Sequence, residues 1–267
     1  MRKIMIVVLL LLGVAPLKSY GEELRIGGTG AGLALSRALA EAFLKQSADG
    51  NSLWMPESLG TSGGVKALAA GKLDVAVLMR ALKPDEVGQG ASLALCRTPW
   101  VFYAQQGRDD VALASADVTA LYLSSLPAFA KGEVRPLLRP ANETGFAVLQ
   151  QHFPQLAPVI EQARAARGAV LAMTDQDAMD AVETGASLIG FGAYAPLVAG
   201  HRPLRAVALD GNDPSALTPQ YPLWSTLYFA TGQQTSALGR AFVAYAQSAA
   251  AAAVLRANGC LPTTAEH

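Results

Sequence analysis

The sequence has few histidines and cysteines and no surplus of charge of either sign. Its 267 residues include three histidines and two cysteines, and 21 Lys plus Arg balance 21 Asp plus Glu. This balance excludes a general attraction to nucleic acid or to an anionic membrane, so local geometry must supply the attraction for any bound ion. Cys96 and Cys260 lie far apart and either pair in an oxidising compartment or remain two buried thiols. We expect no cofactor and no metal ion.

Long apolar runs are missing after the first residues of the chain. No later stretch approaches ~20 uncharged apolar residues, which argues against a membrane-spanning protein. The chain begins with Arg2 and Lys3, an apolar run over residues 4–14, and small residues near a suitable cleavage position. This order predicts a cleaved secretory signal over residues 1–21 and a periplasmic location, with an uncleaved anchor as the alternative.

Glycine is abundant at the start of the mature chain, between a strand pattern and a helix pattern. Residues 24–26 predict a short strand, and residues 27–32 (GGTGAG) predict a loop. Leu35, Leu39 and Phe43 then recur every four residues, as an amphipathic helix requires. The order is therefore strand, glycine loop, helix.

The same order occurs again further along the chain. SLWMPESL has a strand pattern, residues 60–64 (GTSGG) predict a loop, VKALAAG predicts a short helix and KLDVAVLM predicts the next strand. Strand and helix patterns continue to alternate as far as a single long helix predicted over residues 235–259. This alternation predicts an α/β protein with a largely parallel sheet.

Ser62 stands in a G-x-S-x-G pattern, which is typical of the nucleophile in serine hydrolases. Such a serine needs a histidine base and an acid that orients it, and His201 with Asp175 or Asp180 would follow in the right order. No glycine-rich oxyanion loop of the esterase type precedes Ser62, and few strands stand before it to build the sheet. Hydrolysis by Ser62 and His201 is therefore the weaker interpretation.

The two glycine loops also favour capture of an anion without reaction. Both lead into helices, and helix N-termini present free N–H groups with partial positive charge. Thr29, Thr61 and Ser62 add hydroxyl donors, and Gly63 and Gly64 leave the backbone open to a ligand. The plain alternative is that Ser62 only caps its helix and the glycines only form turns.

Longer segments resemble the phosphate ABC-transporter substrate-binding proteins. LGTSGGVKALAAGKLDVAVLMRALKPDE contains a serine-glycine-glycine helix start, a small helix, an aspartate-led strand and a lysine-proline turn, in the order of that family. LIGFGAY and the later LRAVALDGNDPSALTPQYPLW resemble the family as well. The resemblance covers nearly all of the mature chain. It implies a type II periplasmic-binding-protein fold, with two α/β lobes joined by crossing strands and a ligand cleft between them.

The resemblance also implies which residues form each lobe and which bind the ligand. Lobe one would comprise residues 22–102 and 222–267, and lobe two residues 103–221. Hydroxyl groups, loop amides and two arginines would hold the ligand, and the closed form would be recognised by the transporter. The residues implied are Thr29, Gly30, Thr61, Ser62, Gly63, Arg80, Arg139 and Thr144.

Two positions depart from the family's pattern. Arg80 stands where the family usually has an aspartate that accepts the proton of hydrogen phosphate, and Glu143 replaces a serine in the loop that keeps Arg139. A carboxylate facing phosphate would repel it, whereas Glu143 could pair with Arg80 or Arg139. Phosphate is the leading ligand by resemblance alone, and another oxyanion or a small organic anion is the alternative.

These patterns together predict a monomeric periplasmic solute-binding protein. It would capture a small anion for an inner-membrane ABC permease and catalyse no reaction. The alternatives are the serine hydrolase described above and a non-transport module of the same fold that senses a ligand or docks to a partner.

Overall fold

The computed structural model describes residues 21–46, 49–87, 90–141 and 143–263. Nearly all of the predicted export signal over residues 1–21 lies outside the described residues. Within them, strands alternate with helices in an α/β fold of two lobes, which confirms the predicted fold class.

A mixed sheet of nine strands runs through the described residues. The strands are β1 (Glu23–Gly28), β2 (Ser52–Trp54), β3 (Val75–Leu78), β4 (Gly90–Gln105), β5 (Arg135–Pro136), β6 (Leu188–Ala193), β7 (Leu204–Ala206), β8 (Trp224–Gly232) and β9 (Leu261–Pro262). Their order is β2-β1-β3-β8-β4-β6-β5, with β7 and β9 also paired to β4. β1 is parallel to β2 and β3, but β8 is antiparallel to β3 and β4. The prediction of a largely parallel sheet was therefore wrong, because β4 and β8 run in opposite directions through the centre of the sheet.

β4 is the strand that both lobes share. It pairs with β8 as far as Pro99, opposite Trp224, and from Trp100 to Tyr103 it pairs with β6 instead. The Tyr221 hydroxyl donates a hydrogen bond to the Trp100 carbonyl at 2.8 Å, at the point where the partner strand changes. The two groups of strands are thus joined through a single continuous strand.

Helices follow most of the strands along the chain. The first buries Leu35 and Leu39 and exposes Arg37 and Glu41, as its amphipathic pattern predicted. The helices are α1 (Gly30–Leu44), α2 (Gly60–Ala69), α3 (Pro84–Val87), α4 (Asp117–Tyr122), α5 (Thr144–His152), α6 (Leu156–Ala165), α7 (Asp175–Thr184), α8 (Ala195–Ala199), α9 (Ala237–Tyr245) and α10 (Ala249–Ala257).

Three predictions of local structure were wrong. Residues 27–32 were predicted as a loop, but β1 extends to Gly28 and α1 begins at Gly30. Residues 60–64 form the first turns of α2 rather than a loop. The predicted long helix over residues 235–259 consists of α9 and α10, which meet at a bend of 72°. Ser248 explains the break, because its hydroxyl accepts a hydrogen bond from the Ala251 N–H at 3.1 Å and so caps α10.

The helices of the described ranges are short compared with the width of a membrane. No single one of them is long and apolar enough to cross it, and one pair, α9 with α10, reaches that length and apolar content only when both helices are counted together across their bend.

A buried aspartate and a disulfide connect the elements of the lobe that contains β1, β3 and β9. The carboxylate of Asp74, which is fully buried, accepts hydrogen bonds from the Arg25 Nε and backbone N–H, both at 3.0 Å, and from the Ser236 N–H at 3.1 Å. Burial alone would raise the pKa of Asp74, but these hydrogen bonds outweigh burial and lower it below its usual value. Cys96 and Cys260 form a disulfide, which ties β4 to the segment before β9.

Candidate functional site

A cleft of about 740 Å³ lies between the two lobes. One wall consists of the starts of α1 and α2 and the residues after β3, and the other consists of the starts of α5 and α7. Four helix N-termini therefore converge on the cleft, which favours negative charge there. The predicted site residues that line it are Thr29, Thr61, Ser62, Gly63, Arg80, Arg139 and Thr144.

The start of α2 is open to the cleft. The residue before the helix gives it no side-chain cap, and the Gly60 N–H reaches the Ser58 hydroxyl only at 3.4 Å, which is long for a hydrogen bond. The Thr61 hydroxyl accepts a hydrogen bond from the Met79 N–H at 3.2 Å, which fixes the helix start against the end of β3. Ser62 is exposed and, with Gly63, lines the cleft. The free N–H groups and hydroxyls of this turn are suited to an anion.

Two of the glycines in this segment have structural roles. Gly60 has a φ of 67°, a left-handed conformation that favours glycine. A Cβ at Gly64 would lie 2.9 Å from the Gly28 Cα, so the missing side chain lets α2 pack closely against β1. Gly64 is buried and does not line the cleft, whereas Gly63 does. The interpretation of Gly64 as backbone left open to a ligand was therefore wrong.

The start of α1 contacts a carboxylate from the other lobe. Thr29 is buried and its side chain makes no cap to the helix. Gly30 does not line the cleft, and a Cβ there would lie 2.5 Å from the Asp175 Oδ2. The Ala31 N–H faces Asp175 and lowers the pKa of its carboxyl. Gly30 is thus the one predicted site residue that the structure does not place on the cleft surface.

The loop before α5 brings Arg139 and Glu143 together. The Glu143 Oε2 accepts a hydrogen bond from the Gly145 N–H at 2.6 Å and so caps α5, while its Oε1 lies 3.5 Å from the Arg139 Nη2. The Arg139 carbonyl accepts a hydrogen bond from the Arg164 Nε at 2.8 Å. Of the two pairings suggested for Glu143, the structure therefore has the one with Arg139.

Arg139 is buried and has hydrogen-bonding capacity to spare. Its Nη2 lies 3.6 Å from the Asp175 Oδ1 as well as near Glu143, and both distances are long for hydrogen bonds. Its Nη1 is buried and has no partner among the residues that the structure describes. Burial and the nearby Glu143 raise the pKa of Asp175 to about 6, although Arg139 and the Ala31 N–H act in the opposite direction.

Arg80 lines the cleft but is already paired. Its Nη1 and Nη2 donate to the two carboxylate oxygens of Glu86 at 2.6 and 2.9 Å, and its Nη1 also donates to the Ala81 carbonyl at 3.0 Å. These bonds hold the pKa of Glu86 at about 2. Glu86 thus balances the positive charge expected from Arg80.

The histidine needed for hydrolysis lies elsewhere. His201 lines a separate cavity with Tyr194 and Asp213, and no histidine among the described residues lines the cleft that contains Ser62. The same part of the chain also has no group of three or more His, Cys, Asp or Glu residues that could hold a metal ion.

Asp175 lies on the cleft although its sequence context suggested only the acid of a catalytic triad. The sequence does mark the start of α7, the helix that Asp175 begins. Thr174 and Asp177 form a capping box, in which the Thr174 hydroxyl accepts from the Asp177 N–H at 3.0 Å and the Asp177 carboxylate accepts from the Thr174 N–H at 2.9 Å. That signal marks a helix N-terminus but not its position opposite α1.

The fold is similar to solved structures of binding proteins. A Clostridium perfringens protein of the phosphate ABC-transporter substrate-binding type, solved with bound phosphate, has a TM-score of 0.73 at 14% identity, over 91% of this chain and 100% of that chain. The Azotobacter vinelandii periplasmic molybdate-binding protein has 0.63 at 16%, over 90% and 100%. An ABC-type phosphate transport receptor from Vibrio cholerae has 0.55 at 14%, over 90% and 99%.

Sequence comparison gives the family. No curated protein matches the sequence significantly. A sequence profile described as a PBP superfamily domain matches residues 15–250, which is most of the chain and includes both lobes and the cleft between them. This match agrees with the two-lobed fold and with the resemblance found in the sequence, and the chain therefore belongs to the PBP superfamily.

Proposed function

We propose that this protein captures a small oxyanion in the cleft between its lobes, with phosphate as the first candidate. Hydroxyl groups at Thr29, Thr61, Ser62 and Thr144 donate to the ligand, together with the amides of the α2 start at Gly63. The α1 start at Gly30 joins them once Asp175 no longer competes for it. Arg139 supplies the main positive charge and Arg80 a smaller part.

The observation that carries this proposal is the state of Arg139. Its side chain is only 7% exposed, its contacts to Glu143 and Asp175 are long, and its Nη1 has no partner among the described residues. A buried guanidinium with an unused donor is costly unless another acceptor completes it. An oxyanion is the acceptor that matches a guanidinium best, because two oxygens can accept from it at once.

The fold and the disulfide support a proposal for how the lobes divide and where the protein acts. We propose lobe one as residues 22–102 and 222–267 and lobe two as residues 103–221. The change of partner strand between Pro99 and Trp100, three residues before the first boundary, supports a division in this part of β4. Closure of the lobes on a ligand would give the form that a membrane ABC permease recognises. The Cys96–Cys260 disulfide supports an oxidising compartment such as the periplasm, and we propose a monomer there.

We further propose that the protein catalyses no reaction. Ser62 lies on the cleft, while His201 lines another cavity. A serine without a base stays a weak nucleophile. Incubation with a fluorophosphonate probe should therefore leave Ser62 unlabelled, and labelling that is lost in Ser62→Ala would overturn this part of the proposal.

Thermal melting against a panel of anions tests capture. The purified mature protein is melted with phosphate, sulfate, molybdate, tungstate or small carboxylates, at pH 5.5 and 7.5. A ligand at ~100 times its dissociation constant adds about 2.7 kcal/mol, which for a chain of this size raises Tm by roughly 5–10 °C. If no anion raises Tm at either pH, capture as proposed is wrong.

Two arginine variants show whether the shift comes from this cleft. Arg139→Gln removes the guanidinium and should weaken anion binding by roughly 10- to 100-fold, the usual worth of a charge-assisted hydrogen bond. Arg167→Gln is the matched control, because Arg167 is an exposed arginine just after α6 that does not line the cleft. Equal Tm shifts in wild type and Arg139→Gln would place the anion elsewhere.

A further inference from the structure

The start of α1 already contacts an anionic side chain. A Cβ at Gly30 would lie 2.5 Å from the Asp175 Oδ2 and 2.9 Å from the Gln176 Oε1, so α1 and α7 meet start to start across the cleft. Two helix N-termini that meet in this way repel each other through their partial positive charges unless an anion lies between them. Asp175 supplies that anion, and the Ala31 N–H stabilises its charged form.

The same carboxylate lies beside Arg139. Its Oδ1 is 3.6 Å from the Arg139 Nη2, and the Asp175 side chain is only 14% exposed. The position between a helix N-terminus and a buried guanidinium is one in which a bound oxyanion would be stabilised. Asp175 therefore occupies a place that suits an oxygen of the ligand.

The charge around Arg139 disfavours a second anion. Arg139 carries one positive charge, whereas Glu143 and Asp175 carry two negative charges when both are ionised, so the group has an excess of negative charge. Arg80 does not correct the excess, because it is bonded to both oxygens of Glu86. A divalent oxyanion held by Arg139 would therefore meet like charges at close range in a poorly solvated site.

We propose that Asp175 is an internal anion that competes with the ligand, so that the cleft captures an oxyanion only together with one proton. This inference rests on the proposed function and adds that Asp175 must be protonated before the oxyanion binds. The proton comes from solvent and forms an O–H bond on the Asp175 carboxyl. The neutral carboxyl then no longer repels the oxyanion, and its O–H can donate to it.

The groups that face Asp175 come from three elements. The loop before α5 contributes Arg139 and Glu143, α1 contributes the Ala31 N–H, and β4 contributes the buried Tyr103, whose own pKa is raised by burial and by Asp175. Because burial and Glu143 raise the pKa of Asp175 to about 6, its proton uptake falls within the range in which the folded protein can be titrated.

Sulfate is the probe that tests this inference, since it stays fully deprotonated from pH 5 to 8 and any proton taken up must bind the protein. Calorimetric titration of the wild type should give a sulfate affinity that falls about tenfold per pH unit above pH 6. Asp175→Asn carries a neutral side chain of the same shape. It should bind sulfate about 30-fold more tightly than wild type at pH 7.5 and show no such pH dependence.

Glu57→Gln is the matched control. Glu57 is exposed and lines a neighbouring cavity that shares Ser58 and Thr174 with the cleft, so its removal deletes a nearby charge without touching the Arg139 group. It should keep the wild-type pH dependence. The same titrations with inorganic phosphate show whether a ligand that carries its own proton can bind without protonation of Asp175. If it can, the affinity of the wild type for phosphate should fall less steeply with pH than its affinity for sulfate.

The outcomes separate this inference from the proposed function. Anion binding that is equal at pH 5.5 and 7.5 in the wild type, or weaker in Asp175→Asn, overturns the internal anion while capture stands. An absence of binding in every variant at every pH overturns both. A measurement without ligand decides the contact itself: the Ala31 amide proton resonance should move with a midpoint near pH 6 in the wild type and should not do so in Asp175→Asn.

Discussion

Asp74 and Asp175 are both buried beside an arginine, yet their pKa values shift in opposite directions. Asp74 accepts hydrogen bonds from the Arg25 side chain and backbone and from the Ser236 N–H, at 3.0 to 3.1 Å, and its pKa is lowered. Asp175 lies 3.6 Å from Arg139, shares it with a second carboxylate, and has a pKa raised to about 6. Burial raises the pKa of both, so the hydrogen bonds to Asp74 and the repulsion of Asp175 by Glu143 decide the sign.

The hydrogen bonds around the two aspartates indicate different roles: Asp74 stabilises the fold, whereas Asp175 is suited to ligand binding. Around Asp74 the donors lie at hydrogen-bonding distance, and a ligand would find little to add. Around Asp175 the arginine has long contacts and a donor without a described partner, and the negative charge exceeds the positive charge. Perturbed ionisable groups of this kind cluster at functional sites. The same substitution at the two aspartates should therefore have opposite effects.

Asp74→Asn should have the largest effect. It removes the charge that compensates Arg25 and leaves fewer acceptors for its donors, and breaking such a buried pair costs about 4 kcal/mol of the free energy of unfolding. The pKa of Asp74 is lowered in the folded state, so its contribution is present above about pH 4 and is lost as the pH falls further. Urea unfolding at pH 7.5 measures the loss, and a change below about 1 kcal/mol would contradict this account.

Asp175→Asn should act in the opposite direction. The carboxyl has a pKa of about 6 in the folded protein and an ordinary value of 3.8 in the unfolded chain, so the folded state binds more protons between pH 4 and 6 and loses stability as the pH rises through that window. The difference corresponds to at most about 3 kcal/mol. The variant should therefore unfold at higher urea than wild type at pH 7.5 and show no gain at pH 4.

The contrast between the two aspartates also shows what the sequence could predict. Asp74 heads a strand in a local segment that resembles the family. The alternation of strands and helices predicted the α/β fold class, and the resemblance implied most cleft residues. Thr61, Ser62, Arg80 and Arg139 all line the cleft, as the resemblance implied. These residues stand at the ends of strands and helices, where local pattern is informative.

The position of Asp175 could not be predicted in that way. Its capping box marks the start of α7, but its contact with Gly30 depends on how the two lobes pack, over a separation of 145 residues that no local pattern encodes. The break between α9 and α10 was missed for a different reason. Alanine favours a continuous helix by propensity, and only Ser248, acting as a cap, ends that tendency.

Glu86→Gln should have the smallest effect on stability. It extends the comparison to a third arginine–carboxylate pair, Arg80 with Glu86. Arg80 and Glu86 are bonded through both carboxylate oxygens, but the Arg80 side chain is 31% exposed and the Glu86 side chain 19% exposed, so solvent screens much of their attraction. We expect a loss of stability of at most about 1 kcal/mol.

The guanidinium of Arg80 that Glu86→Gln frees should also tighten anion binding at the cleft by a few-fold at pH 7.5, where Asp175 still competes. Urea unfolding and calorimetric titration with phosphate check the two effects, and a stability loss as large as that of Asp74→Asn would show that Arg80 belongs with the pairs that hold the fold.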